Sequence, residues 1–232
     1  MAGNREERIP TPFVTYALLA SIVFVQIYLT ISSPSQALDF YDQFSLVPAY
    51  IMDAVQVDTL ITYMFLHGNL VHLIMNGITL YGSGIIVERD IGHVRFLMVF
   101  LASGMLAGLI HSMLNPSLGI PLVGSSGAVF GVIAVLLLLM PFKLTYALVV
   151  PLPSVIVGIM LSLVELSAFY MTSDISVAHD VHLSGFIIGG ICAFFIDRKR
   201  ALRGLFIATA ILVIIYYLGI YFNVLPATPL AP

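Results

Sequence analysis

The chain has 232 residues, 60% of them hydrophobic and 9% charged, with a formal net charge of −3. A water-soluble domain carries roughly 25% charged residues and about 45–50% apolar ones, so this composition belongs in a bilayer. The nine basic residues form no basic face, which excludes nucleic acid as a partner, and the single Cys192 excludes an intrachain disulfide.

A hydrocarbon core of about 30 Å asks for helices of about 20 apolar residues. Residues 1–12, opening "MAGNREERIP", read as a charged tail. The first predicted span is 13–31, whose 19 residues exceed the usual apolar region of a signal peptide and so predict a retained helix. Residues 32–58 form a long connection in which Pro34 and Pro48 alternate with Phe40, Tyr41, Phe44 and Tyr50, a mixture expected to lie on the membrane surface. Further spans are predicted at 66–87, 94–114, 122–140, 144–170, 175–196 and 202–222. Pro151 and Pro153 fall in the fifth, where each removes a backbone donor, so its inner half should be bent or loose. The expected division is a cytoplasmic tail 1–12, a six-helix core 13–200, an extra seventh transmembrane helix 201–223 and a short outer tail 224–232. There is no internal repeat, which weighs against an inverted-repeat transporter.

Orientation follows from the basic residues. Arg5, Arg8, Arg89, Arg95, Lys143, Arg198, Lys199, Arg200 and Arg203 all fall on one side of a seven-span topology, while Asp39, Asp42, Asp53, Asp58, Asp174 and Asp180 fall on the other. Basic loops stay in the cytoplasm, so the N-terminus is expected inside and the C-terminus outside.

Spans two, four and six then run from the outside inward. "GSSG", residues 124–127, opens the fourth, placing Ser126 near its outer end. Counting about 20 residues back from Glu88 starts the second span near Gly68. His72 and Asn76 are then about one and two turns in, on one helix face, with His67 at the mouth. A sixth span beginning near Ile175 puts His182 about two turns in. In "HLSGFIIGG", His182, Gly185 and Gly189 fall on one narrow stripe, and glycines mark the face that approaches another helix closely.

Small residues in a lipid span usually signify packing alone, and an interior histidine can be merely hydrogen-bonded. Four polar residues at matching depth on three helices point instead to a wet pocket open to the outside. If the sixth helix packs on the fourth, the His182 imidazole reaches the Ser126 hydroxyl, and serine needs such a base to become a nucleophile.

At these residues the chain resembles a rhomboid intramembrane serine protease. "GSSG" fits the family's Gly-x-Ser-Gly, with Gly124 and Gly127 flanking Ser126 as nucleophile; "HLSGFIIG" fits His-x-x-Gly-x-x-x-Gly, with His182 as general base and Gly185 and Gly189 supporting it. "HGNLVHLIMN" fits the second-helix pattern, which implies that His72 and Asn76 help bind the oxyanion together with the Ser126 N–H, and "VERDIGHVRF" fits the Glu-Arg-x-x-Gly turn. The resemblance implies an all-α polytopic bundle, a rhomboid-like six-helix core plus a seventh C-terminal helix. It also implies no cofactor or metal, membrane lipids and transmembrane proteins as partners, and the plasma membrane as location; the oligomeric state is left open. Many members carry a Trp-Arg pair in the first outer loop, but this chain has no tryptophan, so that loop must pack differently. Where some members have a tyrosine stacking on the histidine, this chain has Phe130.

The expected mechanism is a Ser–His dyad cutting transmembrane segments near the outer face, with substrate entering past the fifth helix. Asp180, two residues before His182, points to another face, and no carboxylate looks well placed as a third member. His67 reads as a structural or rim residue, His179 as loop-end polarity, and Ser103, Gly104 and Gly108 as packing, while His111 stays unassigned. Glu165 reads as a gate contact or a protonated structural group. The alternatives are a catalytically inactive rhomboid-like protein that binds clients, or a small transporter. A His67, His72 and His182 metal set lacks a completing carboxylate or thiol. An imidazole base must be neutral and ordinarily titrates near pH ~6.5, so proteolysis is expected to fall in acid. A rate–pH profile checks this, and a flat profile down to about pH 4 would contradict the base.

Overall fold

The computed structural model describes residues 10–148, 150–171 and 177–222. Residues 1–9 of the N-terminal tail with Arg5 and Arg8, the C-terminal tail 224–232, Asp174 and the expected helix start at Ile175 lie outside the described residues.

Helix α1 (Phe13–Ile31) begins after Pro12, which supplies no side-chain cap. Its first N–H groups are satisfied from a distance by Glu88, near the end of α5 (Leu70–Ile91). Val14 N–H donates to Glu88 Oε1 at 2.9 Å, Thr15 N–H to Oε2 at 2.7 Å, and the Thr15 hydroxyl to Oε2 at 2.6 Å. His93 Nδ1 lies 2.6 Å from Oε1. Glu88 is fully buried, and its charge sits at the positive end of the α1 dipole. The Glu-Arg-x-x-Gly turn therefore works as a remote helix cap. Gly92, at φ +85°, then reverses the chain into α6 (His93–Leu114).

The connection after α1 is largely helical: α2 (Pro34–Phe44), α3 (Pro48–Met52), α4 (Thr59–Thr62) and a 3-10 turn, Tyr63–Phe65. A Ser33–Gln36 capping box with Pro34 in the first turn starts α2. In place of tryptophan packing, Tyr63 is fully buried and its hydroxyl donates to the Gly104 carbonyl at 2.7 Å.

Helix α7 (Ser126–Leu139) is the hub. Every residue from Gly127 to Leu139 is buried, as expected of a helix apolar on all sides. Helices α5, α6, α8 (Ser154–Met171), α9 (His179–Ile196) and α10 (Arg198–Tyr221) all pack on it. Its 14 residues rise only about 21 Å, less than a hydrocarbon core. Among the described residues, the six helices long and apolar enough to cross a membrane are the other long ones, α1, α5, α6, α8, α9 and α10. The all-α polytopic bundle is thus present, with its central helix shorter than the predicted 122–140.

Other boundaries also move. The second span begins at Leu70, because the Asn69 side chain accepts from His72 N–H at 2.8 Å and caps the helix there. The fifth span does not begin at residue 144: strands β1 (Leu144–Leu148) and β2 (Val150–Pro153) form an antiparallel hairpin, with Leu144 opposite Pro153. Pro151 and Pro153 therefore bend no helix, and the proline argument for a loose fifth helix falls. The hairpin lies on α5, where the Thr145 hydroxyl donates to the Gly82 carbonyl at 2.8 Å and a Cβ at Gly82 would strike the Tyr146–Ala147 backbone. The sixth span starts at His179, so His182 is in its first turn rather than two turns in.

Polar contacts close the end of the bundle that carries the basic residues. Arg200 donates to Asp90 Oδ2 at 2.8 Å and, through Nε at 3.2 Å and Nη2 at 3.1 Å, to the Leu139 carbonyl that ends α7. Glu88→Ala should leave buried donors of α1 without a partner. Destabilisation of roughly 3 kcal/mol is expected, read as a lowered thermal midpoint of the purified protein in detergent.

Candidate active site

The strand-like residues before α7 are held by the outer loop. Leu46 N–H donates to the Leu122 carbonyl at 3.1 Å, Leu122 N–H returns to Leu46 at 2.7 Å, and Gly124 N–H donates to the Tyr63 carbonyl at 3.0 Å. These bonds delay the helix start to Ser126. Gly124 adopts φ +121°, a conformation that favours glycine. A Cβ there would also fall 2.6 Å from His72 Cε1, so the glycine makes room for that imidazole. Ser126 opens α7, where its N–H has no partner within the helix and the dipole favours negative charge.

Helix α9 brings the expected base, His182. A Cβ at Gly185 would land on the Gly127 backbone, and one at Gly189 on that of Gly131, so the two helices meet main chain to main chain. At that closeness His182 Nε2 lies 2.7 Å from Ser126 Oγ. Phe130, one turn below Ser126, stacks on the imidazole with ring centroids 4.6 Å apart and planes 6° from parallel. His72 is half-buried on the first turn of α5, its ring 5.0 Å from that of His67. Asn76 is buried, and its Nδ2 donates to the His72 carbonyl at 3.1 Å.

The expectation that no carboxylate is well placed needs correction. Glu165 of α8 sets Oε2 3.0 Å from His182 Nδ1 and 2.6 Å from His179 Nδ1. The acid next to His182 along the chain is Asp180, whereas Glu165 comes from the neighbouring helix. The signal was present all the same, since Glu165 is an intramembrane acid and such groups call for a named partner. Asp180 does face elsewhere: its Oδ2 is 2.7 Å from His111 Nδ1 and accepts from Asn115 Nδ2 at 3.3 Å, which ties the outer ends of α9 and α6 together. His111, unassigned from sequence, is thereby a structural partner.

Glu165, His179 and His182 also place one ligand atom each within 4.8 Å of one another. This His–His–carboxylate set could accept a zinc-like ion, and it differs from the His67, His72 and His182 group weighed from sequence.

A family model described as the Rhomboid domain matches residues 54–200. Among curated proteins, the chain is 37% identical to "Rhomboid protease GluP" of Bacillus subtilis over 78 residues, which is 34% of this chain and 15% of that protein. It is 36% identical to "Putative rhomboid protease YdcA" of the same organism over 84 residues, 36% of this chain and 42% of that protein. It is 45% identical to "RHOMBOID-like protein 4" of Arabidopsis thaliana over 74 residues, 32% of this chain and 18% of that protein. Each match thus covers less than half the length of the relative concerned.

His67 is fully buried rather than at a rim, with Nε2 3.4 Å from Ser125 Oγ. Burial, then the neighbouring His72, push its pKa down to about 4, against a lesser opposing hydrogen bond at the Phe65 backbone. A base whose folded pKa is depressed gives the unfolded chain the greater proton uptake in acid. Its contribution to stability is therefore full above about pH 6.5 and drains away as pH falls toward 4. The thermal midpoint should drop across that window, and His67→Gln, which does not titrate, should show a shallower drop in the same melts.

Proposed function

The chain belongs to the rhomboid family, and from that premise we propose that it is an intramembrane serine endopeptidase acting through Ser126 and His182. It is an integral multi-pass membrane protein, an intramembrane protease or rhomboid-like protein. The observation that carries this proposal is the 2.7 Å contact between Ser126 Oγ and His182 Nε2, with Phe130 stacked on the ring.

In this reading Ser126 Oγ attacks a peptide carbonyl carbon while its proton passes to His182 Nε2. The carbonyl π pair moves onto oxygen, where the Ser126 N–H at the α7 N-terminus stabilises it, with His72 and Asn76 flanking. Collapse re-forms the carbonyl and expels the amine, which takes the proton from Nε2. Water, deprotonated by the same nitrogen, then attacks the acyl ester, and the proton returns to Oγ.

A helix conceals its carbonyls, so the proposed substrates are transmembrane proteins whose spans unwind readily, at small or glycine residues near the outer face. Ser126 opens α7 and meets His182, one turn inside α9, while remaining half-exposed. The basic end of the bundle is assigned to the cytoplasm and the reaction to the opposite side, in the plasma membrane.

A fluorophosphonate probe on the detergent-solubilised chain tests the nucleophile. Wild type should be labelled, and Ser126→Ala and His182→Ala should not. His72→Ala should lose about 100-fold in the rate of transmembrane-substrate cleavage. Labelling that survives Ser126→Ala would point to another serine, and an unlabelled wild type would favour a client-binding, inactive protein.

A further inference from the structure

Glu165 is buried at the twelfth position of α8, and its Oε2 faces two imidazole nitrogens at once, His179 Nδ1 at 2.6 Å and His182 Nδ1 at 3.0 Å. One oxygen between two nitrogens limits where the protons can be. A protonated Oε2–H would donate to one of them and, as a weak acceptor, take only a poor bond from the other, whereas an ionised carboxylate accepts strongly from both if each Nδ1 carries its hydrogen. The second arrangement serves both contacts better. His182 Nδ1 is itself buried and, among the described residues, has no aligned hydrogen-bond partner. The carboxylate at 3.0 Å is within ion-pair reach without being aligned, and catalytic contacts are often poorly aligned before substrate tightens them. Asp180, the other acid on hand, is already engaged with His111 and Asn115.

We infer that Glu165 is a positioning residue of the candidate site, holding His182 in the Nδ1–H tautomer with His179 bracing the carboxylate; this rests on reading Ser126 and His182 as nucleophile and base. With the proton on Nδ1, the lone pair of Nε2 faces Ser126 Oγ, the orientation a general base requires. When the serine proton arrives at Nε2, the imidazolium forms next to the carboxylate, which stabilises it without taking the proton. His179 is the second donor on the same oxygen and holds the carboxylate against α9. The face of His182 is fixed by Phe130, its tilt by the glycine contacts of α9, and its tautomer by Glu165.

The test uses the full chain in detergent with two readouts. The first is the fluorophosphonate labelling rate of wild type, Glu165→Ala, Glu165→Gln and Glu165→Asp. The second is the 15N NMR signature of the His182 ring, assigned by its loss in His182→Gln. Wild type should show His182 protonated at Nδ1. Glu165→Ala should lose that tautomer preference and label at least ~10-fold more slowly. Glu165→Gln keeps the size of the side chain and so guards against misfolding; it should label more slowly than wild type at an unchanged thermal midpoint. Glu165→Asp should recover part of the rate. A reactive wild type matched by Glu165→Ala, or an unchanged His182 tautomer in that variant, overturns the role of Glu165 alone. An unreactive wild type fails the nucleophile reading first, and this inference falls with it.

Discussion

The closeness of α7 and α9 sets the geometry on which the rest of the molecule depends. Ordinary apolar side chains would hold two helices about 8–10 Å apart, and Ser126 and His182, both short-reaching, would not touch. Gly127 against Gly185 and Gly131 against Gly189 bring main chain onto main chain. In lipid there is no hydrophobic drive to bring helices together, so association relies on such van der Waals contact. The same glycines that stabilise the helix pair therefore fix the Oγ–Nε2 distance.

Each helix of that pair is secured separately at its outer end. The start of α7 is tied by the Leu46–Leu122 pair and the Gly124–Tyr63 bond, and the start of α9 by Asp180 to His111. At the other end, Arg200 closes α7 and Glu88 caps α1. Glu88 and Arg200 satisfy helix-terminal backbone groups that lipid could not. The charged residues of the long helices thus concentrate near helix ends, Glu165 apart.

Much of this could be read from the amino acids, and what could not has a physical cause. Hydropathy located the apolar segments because a bilayer imposes length on a helix, and the glycine stripe after His182 pointed at the helix it meets. Hydropathy could not see that residues 144–153 pair as a hairpin, since an apolar run reads alike as strand or helix. It also overestimated α7, because the Leu46–Leu122 pair that ends the extended stretch joins residues far apart in sequence. Phe130 was legible as one turn from Ser126 on the same helix. Glu165 was legible as costly but not as to its partner, because nothing in the sequence fixes how α8 rotates against α9.

That rotation has a chemical consequence. In this chain α8 meets its neighbours with a buried acid as well as apolar surface, and the acid contacts the histidine that faces Ser126. Any motion of α8 away from α9 would strip His182 Nδ1 of its only nearby carboxylate among the described residues and leave buried charge behind, which is expensive in a low-dielectric site. On the proposed reading of His182 as base, the closed arrangement of these two helices and the base-competent state of the imidazole are coupled. On the same reading, a substrate that pushed between α8 and α9 would disarm the base, whereas one that entered on the α5 side of α8 would leave it intact. The geometry of Glu165 thus favours entry on the α5 side, for an electrostatic reason independent of any proline in the helix.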